Sequence, residues 1–205
     1  MTDFIIPCDT VVRLSNVLAN FHEDADEWFH SLRIDNGQVV ATNRRIMVVE
    51  NVGNNEGIFH LIVDAALLQQ CRVEAPFSSK LTINVNETLR FAVAKTTLGY
   101  VHAPNCGLWS AQPRNIYDQW RNIVMQAKGT AKKSVGGMLW EADAISQIAA
   151  AAPSGRLIFE EKIDTLTRPT VVRDPDDSDW FAIFNPYLDA FGDSPAAVLP
   201  AWMTL

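Results

Sequence analysis

LRIDNGQVVATNRRI, residues 32–46, holds the most informative local signal in the chain. Asp35-Asn36-Gly37 separates two alternating runs, and Asn-Gly tolerates the positive φ that a type I′ turn demands, so the segment predicts a tight antiparallel hairpin. Before the turn, Trp28 to Ile34 alternates, with Phe29, the shorter Ser31 and Arg33 opposed to Leu32 and Ile34. After it, Gln38 to Thr42 returns, Asn43-Arg44 turns again, and Arg45 to Glu50 supplies a third strand. The Gly- and Asn-containing loop Asn51 to Gly57 then leads to a fourth, Ile58 to Val63.

Upstream of this meander, Phe4 to Ile6 reads as a strand closed by Pro7. Asp9 or Thr10 is placed to cap a helix of about Val11 to Phe21, because a short polar side chain can accept from its free N–H groups. Val11, Leu14, Val17, Leu18 and Phe21 recur at three-to-four spacing as its buried stripe, leaving Arg13, Asn16 and Asn20 on a wet face. Downstream the order begins again. A helix from Asp64 to about Cys71, with Leu67, Leu68 and Cys71 inward, precedes strands at Leu81 to Val85, Leu89 to Lys95 and Leu98 to Ala103. Two copies of strand, helix and three strands therefore fill residues 1–103, an internal repeat in element order.

Residues 104–137 read either way. Pro113 to Lys128 fits a helix with Ile116, Trp120, Ile123, Val124 and Ala127 inward, which would align Arg114, Arg121 and Lys128 on the other side. Alternatively, Tyr117 to Val124 is an extended connector. Gly129 to Gly137, with Lys132 and Lys133, reads as a mobile basic loop. Residues 138–186 form another unit: strand Met138 to Glu141, helix Ala142 to Ala152 stopped by Pro153 and Gly155, and strands Arg156 to Glu161, Thr170 to Asp174 and Trp180 to Asn185. The tail, 187–205, reads as extended and ends in Ala201-Trp202-Met203-Thr204-Leu205.

Composition narrows the class. Hydrophobic residues at 48% and charged residues at 20% of 205 are globular rather than disordered proportions. No apolar run reaches the roughly 18 residues of a membrane span, and MTDFIIPCDT lacks a signal-peptide pattern, so a cytoplasmic protein with no membrane partner is expected. Cys8, Cys71 and Cys106 are odd in number and widely spaced, as for reduced buried thiols rather than disulfides or zinc ligands. A net charge of −7 disfavours a protein that coats nucleic acid, while leaving room for a local basic face.

Enzyme signatures are missing. Asp174, Asp176, Asp177 and Asp179 lack the glycine and closing glutamate of a calcium loop, and His22, Glu23, Asp24 and Asp26 have no second histidine at ligand spacing. The sequence has no nucleophile elbow, P-loop or dinucleotide glycine motif, so neither enzyme, metal nor cofactor is expected.

The repeated unit, with helices on one side of antiparallel sheets, resembles the half-domain of DNA sliding clamps, the α+β family that includes the bacterial DNA polymerase III beta subunit and phage processivity clamps. Three segments carry the likeness. LRIDNGQVVATNRRI resembles the family's hairpin ending in A-T-D-G-x-R-L, with Asn43 in place of Asp and one turn position missing. Tyr117 to Val124, YDQWRNIV, resembles the connector F-P-D-Y-R-R-V-L, with Asp118 where Pro is usual. Arg156 to Tyr187 resembles the last strands of the final clamp domain, Arg168-Pro169 standing at the P-V-L-I step and Ile183 to Pro186 at V-V-M-P.

That resemblance implies a short, divergent, non-catalytic processivity factor that encircles duplex DNA and tethers a replicative polymerase. Its helix-borne cations would grip DNA without sequence preference: Arg13, Arg72, Arg114, Arg121, Lys128, Lys132 and Lys133. A pocket for short peptides of the polymerase and the clamp loader would be walled by Thr42, Arg45 and Ile46, then Trp120 and Ile123, then Ile183, Asn185 and Pro186, with Asn185 in place of the family's methionine. Family rings use twelve helices, so four per chain imply a homotrimer, in bacterial or infected-cell cytoplasm. The other expectation from these residues is a clamp-like interaction module that binds replication-protein peptides without closing a ring.

Overall fold

The computed structural model describes residues 2–18, 31–43, 46–53, 56–86, 91–102, 120–122, 142–159 and 170–184. Strand β1 (Thr2–Pro7) runs directly into helix α1 (Cys8–Ser15). The meander β2 (Ser31–Asp35), β3 (Gln38–Thr42) and β4 (Ile46–Asn51) follows. The order then repeats as β5 (Ile58–Ile62), α2 (Ala65–Glu74), a 3-10 turn (Ala75–Phe77), β6 (Lys80–Asn86), β7 (Phe91–Thr96) and β8 (Val101–His102). Residues 120–122 make a helical turn. Helix α3 (Ala142–Ala151) and strands β9 (Ile158–Phe159), β10 (Thr170–Arg173) and β11 (Trp180–Phe184) complete the described chain.

The β2–β3 turn is the one the sequence predicts: Asn36 at φ 49° and Gly37 at φ 87° give the paired positive dihedrals of a type I′ turn. Asn36 also fastens the neighbouring loop, since its side-chain oxygen accepts from Gly57 N at 2.9 Å and its own N–H donates to Gly57 O at 2.9 Å. Gly57 itself sits at φ +96° with the Phe4 ring 3.6 Å from where a Cβ would lie.

Two helix boundaries differ from expectation. α1 starts earlier, with Pro7 rather than Asp9 or Thr10 at its N-cap and no capping side chain, and it ends at Ser15 rather than near Phe21. Proline's fixed φ suits a helix entrance, and the Cys8 N–H is satisfied by Ser79 O at 2.9 Å. α2 runs on to Glu74 and is capped by Asp64, whose carboxylate accepts from Leu67 N at 2.8 Å.

The sheets show a feature that element order does not reveal. One has the order β1-β6-β7-β8 and the other β5-β2-β3-β4-β11-β10-β9. Each repeat's first strand therefore lies in the other repeat's sheet: β1 pairs antiparallel with β6, and β5 with β2. The exchanged strands meet where Phe4 of β1 stacks on Phe59 of β5, ring centroids 5.2 Å apart. The third unit adds to the first through β4 and β11, from Trp180↔Glu50 to Phe184↔Ile46.

All three helices pack against one side of these strands. The shared core includes Val11 and Leu14 of α1, Leu67 and Cys71 of α2, Ala144 and Ile148 of α3, and Ile34, Val39, Val48, Ala182 and Phe184 of the long sheet. β2 and β11 are buried on both faces. Hence Val40, Val49, Phe181 and Ile183, on the face turned away from the helices, are as dry as the core. Among the described residues, no helix is long and apolar enough to cross a membrane and no group of three or more metal-ligating side chains occurs.

Candidate functional site

The helical side was expected to carry the cations. In α1, α2 and α3 the basic residues are Arg13 and Arg72. Arg13 is a correction to the sequence reading, because its guanidinium points into a joint rather than out from a wet face. It donates from Nη1 to Glu50 Oε2 and from Nη2 to Glu50 Oε1, both at 2.9 Å, and from Nε to Asp9 at 2.6 Å. Nη1 also donates to Ala151 O at 2.8 Å, where a cation complements the carbonyl-rich end of α3. Burial works against the charged guanidinium, but Glu50 and Asp9 outweigh it and hold Arg13 above the usual arginine range. Thr10 donates to the same Glu50 carboxylate at 2.7 Å, so one buried acid on β4 collects α1, and through Arg13 reaches α3.

Two further contacts reinforce that joint: Asn16 donates to Ala150 O at 3.3 Å, and Asn43 to Gln147 Oε1 at 3.1 Å. Arg72, by contrast, is exposed on α2 beside exposed Gln69 and Val73. Arg114, Lys128, Lys132 and Lys133 lie outside the described residues.

Arg121 lies elsewhere than on the face of α1, α2 and α3. It stands over the hairpin on the sheet face away from the helices, its Nη1 2.6 Å and Nη2 3.1 Å from the Asp35 oxygens, and it donates to Gln38 at 3.1 Å. Its guanidinium carbon lies 4.4 Å from the centroid of the Trp120 ring, a cation–π stack. Trp120, 1% exposed, donates its indole N–H to Asp35 at 3.0 Å. Arg33 and Asn36 complete the shell, at 3.2 and 3.0 Å. Burial pushes the Asp35 carboxyl up, yet the bonds from Arg121 and Trp120 and the charges of Arg121 and Arg33 prevail and hold it below the usual carboxylate range. Asp35 thus fixes residues 120–122 across β2 and β3. The sequence reading passed it over as a turn residue; an acid opening a tight turn, followed by an Arg-bearing aromatic segment, was the available signal.

The strand register sorts the remaining peptide-pocket candidates. Thr42 lies opposite Met47, and Met47 opposite Ile183, so these three share a row on the face away from the helices, followed by Val171. All four are buried. Ile46 belongs to the other face, in the helix-backed core, and is not brought together with Thr42 and Ile183. Thr42 also closes the β3–β4 turn by donating to Ile46 O at 2.7 Å. Arg45, Ile123, Asn185 and Pro186 lie outside the described residues.

The aspartate run after β10 is a turn-builder. Asp174 accepts from Ser154 N and Ser154 Oγ at 2.7 Å each and from Asp176 N at 2.8 Å, tying the end of α3 to the β10–β11 loop. Arg156 pairs with Asp176 on the surface.

No protein-family model matches the chain, and no curated protein matches it. Solved structures do. A DNA polymerase sliding clamp from Pseudomonas aeruginosa superposes with a TM-score of 0.56 at 12% identity, over 91% of this chain and 67% of that one. The DNA polymerase III beta subunit of Thermotoga maritima gives 0.57 at 9%, over 94% and 66%. A sliding clamp from Bartonella birtlesii, solved with griselimycin bound, gives 0.55 at 10%, over 91% and 66%. The chain spans about two thirds of the length of each. With helices on one side of antiparallel sheets, exchanged first strands and a sheet continued between units, the chain has the fold of the DNA polymerase III beta sliding clamps.

Proposed function

We propose that this protein is a non-catalytic sliding clamp that assembles as a homotrimeric ring around duplex DNA and tethers a replicative polymerase, as in phage replication. The observation that carries the reading is the sheet continued from unit to unit through β4 and β11, with α1, α2 and α3 on one side. A ring needs this arrangement: strand pairing closes its wall, and helices turn to the hole. The described end of the short sheet supports a further junction of the same kind, since β8, the outermost described strand there, carries Val101 at 60% exposure, and Leu98, just before it in the chain, is also exposed. A second copy of the chain is the partner assigned to it.

Grip on DNA falls to Arg72 with Arg114, Lys128, Lys132 and Lys133, while Arg13 and Arg121 serve the fold. Polymerase and clamp-loader peptides would dock on the sheet face away from the helices, which carries Trp120, Thr42 and Ile183, with Arg45, Ile123, Asn185 and Pro186 as further candidates for the same site. The replication machinery that such a protein serves is in the cytoplasm.

A specific observation favours a second reading, an interaction module without a ring: on the described helices Arg72 is the exposed cation, outnumbered by the exposed acids Asp9 and Asp143. Solution mass separates the two. A ring gives a stable species near three times the 22.8 kDa chain mass, about 68 kDa, by light scattering across a dilution series. It should also stay on nicked circular DNA and run off the same DNA once linearised, and replacing Arg72, Lys132 and Lys133 by Glu should weaken loading and flatten its salt dependence. A monomer that fails to remain on circular DNA with its loader present would transfer the assignment to the interaction module.

A further inference from the structure

Glu74, the last residue of α2, is a carboxylate with 0% exposure. A buried acid needs hydrogen-bond donors, and the position of these donors shows what it holds. Oε1 accepts from the Gln70 side-chain amide at 2.7 Å and from the Thr96 hydroxyl at 2.5 Å, and Oε2 accepts from Leu98 N at 3.3 Å. The Thr96 hydroxyl accepts in turn from Tyr100 N at 3.1 Å. Gln70 belongs to α2, whereas Thr96, Leu98 and Tyr100 belong to the turn between β7 and β8. Two backbone donors of that turn, Leu98 N and Tyr100 N, are therefore held by side chains, one by Glu74 directly and the other through Thr96.

This turn governs β8, whose ladder to β7 has two residue pairs, Ala94↔His102 and Lys95↔Val101. Its inner and outer sides contrast sharply. Thr96 is 2% exposed against Glu74, while Leu98 and Val101 are apolar and 62% and 60% exposed. A buried, charged anchor thus stands behind an exposed apolar edge.

We propose that Glu74 is a positioning residue for self-association: it fixes the β7–β8 turn so that β8 presents Leu98 and Val101 to a second copy of the chain. The inference rests on the assignment of β8 to the junction between copies. Glu74 acts through Thr96 and Leu98, without touching the partner.

The test follows association of the full chain by light scattering across a dilution series, beside urea unfolding of each variant. Val101→Asp puts a charge on the exposed edge, tests the junction itself, and should give a folded monomer. Thr96→Val removes the hydroxyl between Glu74 and Tyr100 N, and Glu74→Met removes the acceptors. Each should raise the concentration of half-dissociation at least about tenfold. Thr96→Ser keeps both hydroxyl bonds and should associate as the wild type does. In the monomeric Val101→Asp background, adding Thr96→Val should speed amide hydrogen exchange at Tyr100 at least about tenfold, and adding Thr96→Ser should not. A wild-type monomer, or a Val101→Asp variant that associates normally, refutes the junction and this inference with it. Dissociation by Val101→Asp alone, with Thr96→Val and Glu74→Met associating as wild type, leaves the junction standing and overturns the role of Glu74. A lower urea midpoint with unchanged association does the same, since it marks a contribution to the fold only. Should Glu74→Met not fold, Thr96→Val decides.

Discussion

Replacing Arg13 tests whether the polar joint on β4 is structural, as its geometry indicates, or an accessory to DNA. Arg13→Met removes a two-pronged ion pair to Glu50, whose side chain is 8% exposed, and leaves that carboxylate with Thr10 as its described side-chain donor. Breaking a buried pair from one side costs about 3–5 kcal/mol. Loss of the bond to Ala151 O adds about 1 kcal/mol, and the exposed contact with Asp9 only about 0.3–0.5 kcal/mol. Arg13→Met should therefore lower unfolding free energy by about 4–6 kcal/mol, a large part of the 5–15 kcal/mol typical of a domain. Equilibrium urea unfolding, followed by circular dichroism, measures it. Glu50→Leu should cost a similar amount, because it strands the arginine. The double variant should cost at least about 2 kcal/mol less than the sum of the two, since an apolar pair can replace a buried ion pair. A loss below about 1 kcal/mol for Arg13→Met, or additivity of the two changes, would refute the reasoning and return Arg13 to the helical surface.

Other outcomes follow from the same structure. Asp35, Glu74 and Asp174 are all held below their ordinary values: burial opposes this, but hydrogen bonds from Arg121 and Trp120, from Thr96, Gln70 and Leu98 N, and from Ser154 and Asp176 N respectively outweigh it. Folded values lying below unfolded ones mean stability fully present above about pH 4–5 and lost as pH falls through the folded values; urea midpoints between pH 6 and pH 3 should drop, and drop less in Asp35→Asn. Asp64→Ala removes the α2 cap bond to Leu67 N and should cost about 1 kcal/mol in the same assay. Ile148→Ala, at a fully buried site where α3 meets the shared core, should cost about 2–5 kcal/mol, read as a lower urea midpoint with unchanged slope.

The local elements were legible because their signals are local. The Asn36-Gly37 turn, the alternation around it and the apolar spacing of Leu67 and Cys71 all act within a few residues, and the structure has the hairpin and the helix where they indicate. What escaped was set by partners far along the chain. Nothing within reach of Phe4 says that its strand pairs with Ile83 rather than with its own repeat. Arg13 was assigned to solvent by helical phase alone, but a long side chain at the margin of a buried stripe can turn inward when an acid waits there, and Glu50 is visible only once β4 is folded. Ile46 and Ile183 looked like equivalent pocket walls; antiparallel pairing sets them one residue out of phase, so they emerge on opposite faces. The clamp likeness directed attention to Trp120, though not to Asp35, which holds it.

The exchanged first strands bear on how the protein is made. β1 leaves the ribosome well ahead of its ladder partner, Lys80–Asn86, which is translated only after the whole first meander and the second helix. In the interval its backbone N–H and C=O groups and the Phe4 and Ile6 side chains have no sheet to join. A nascent chain in that condition is open to strand exchange with a neighbour on the same message, and slow codons before residue 80 would lengthen the exposure.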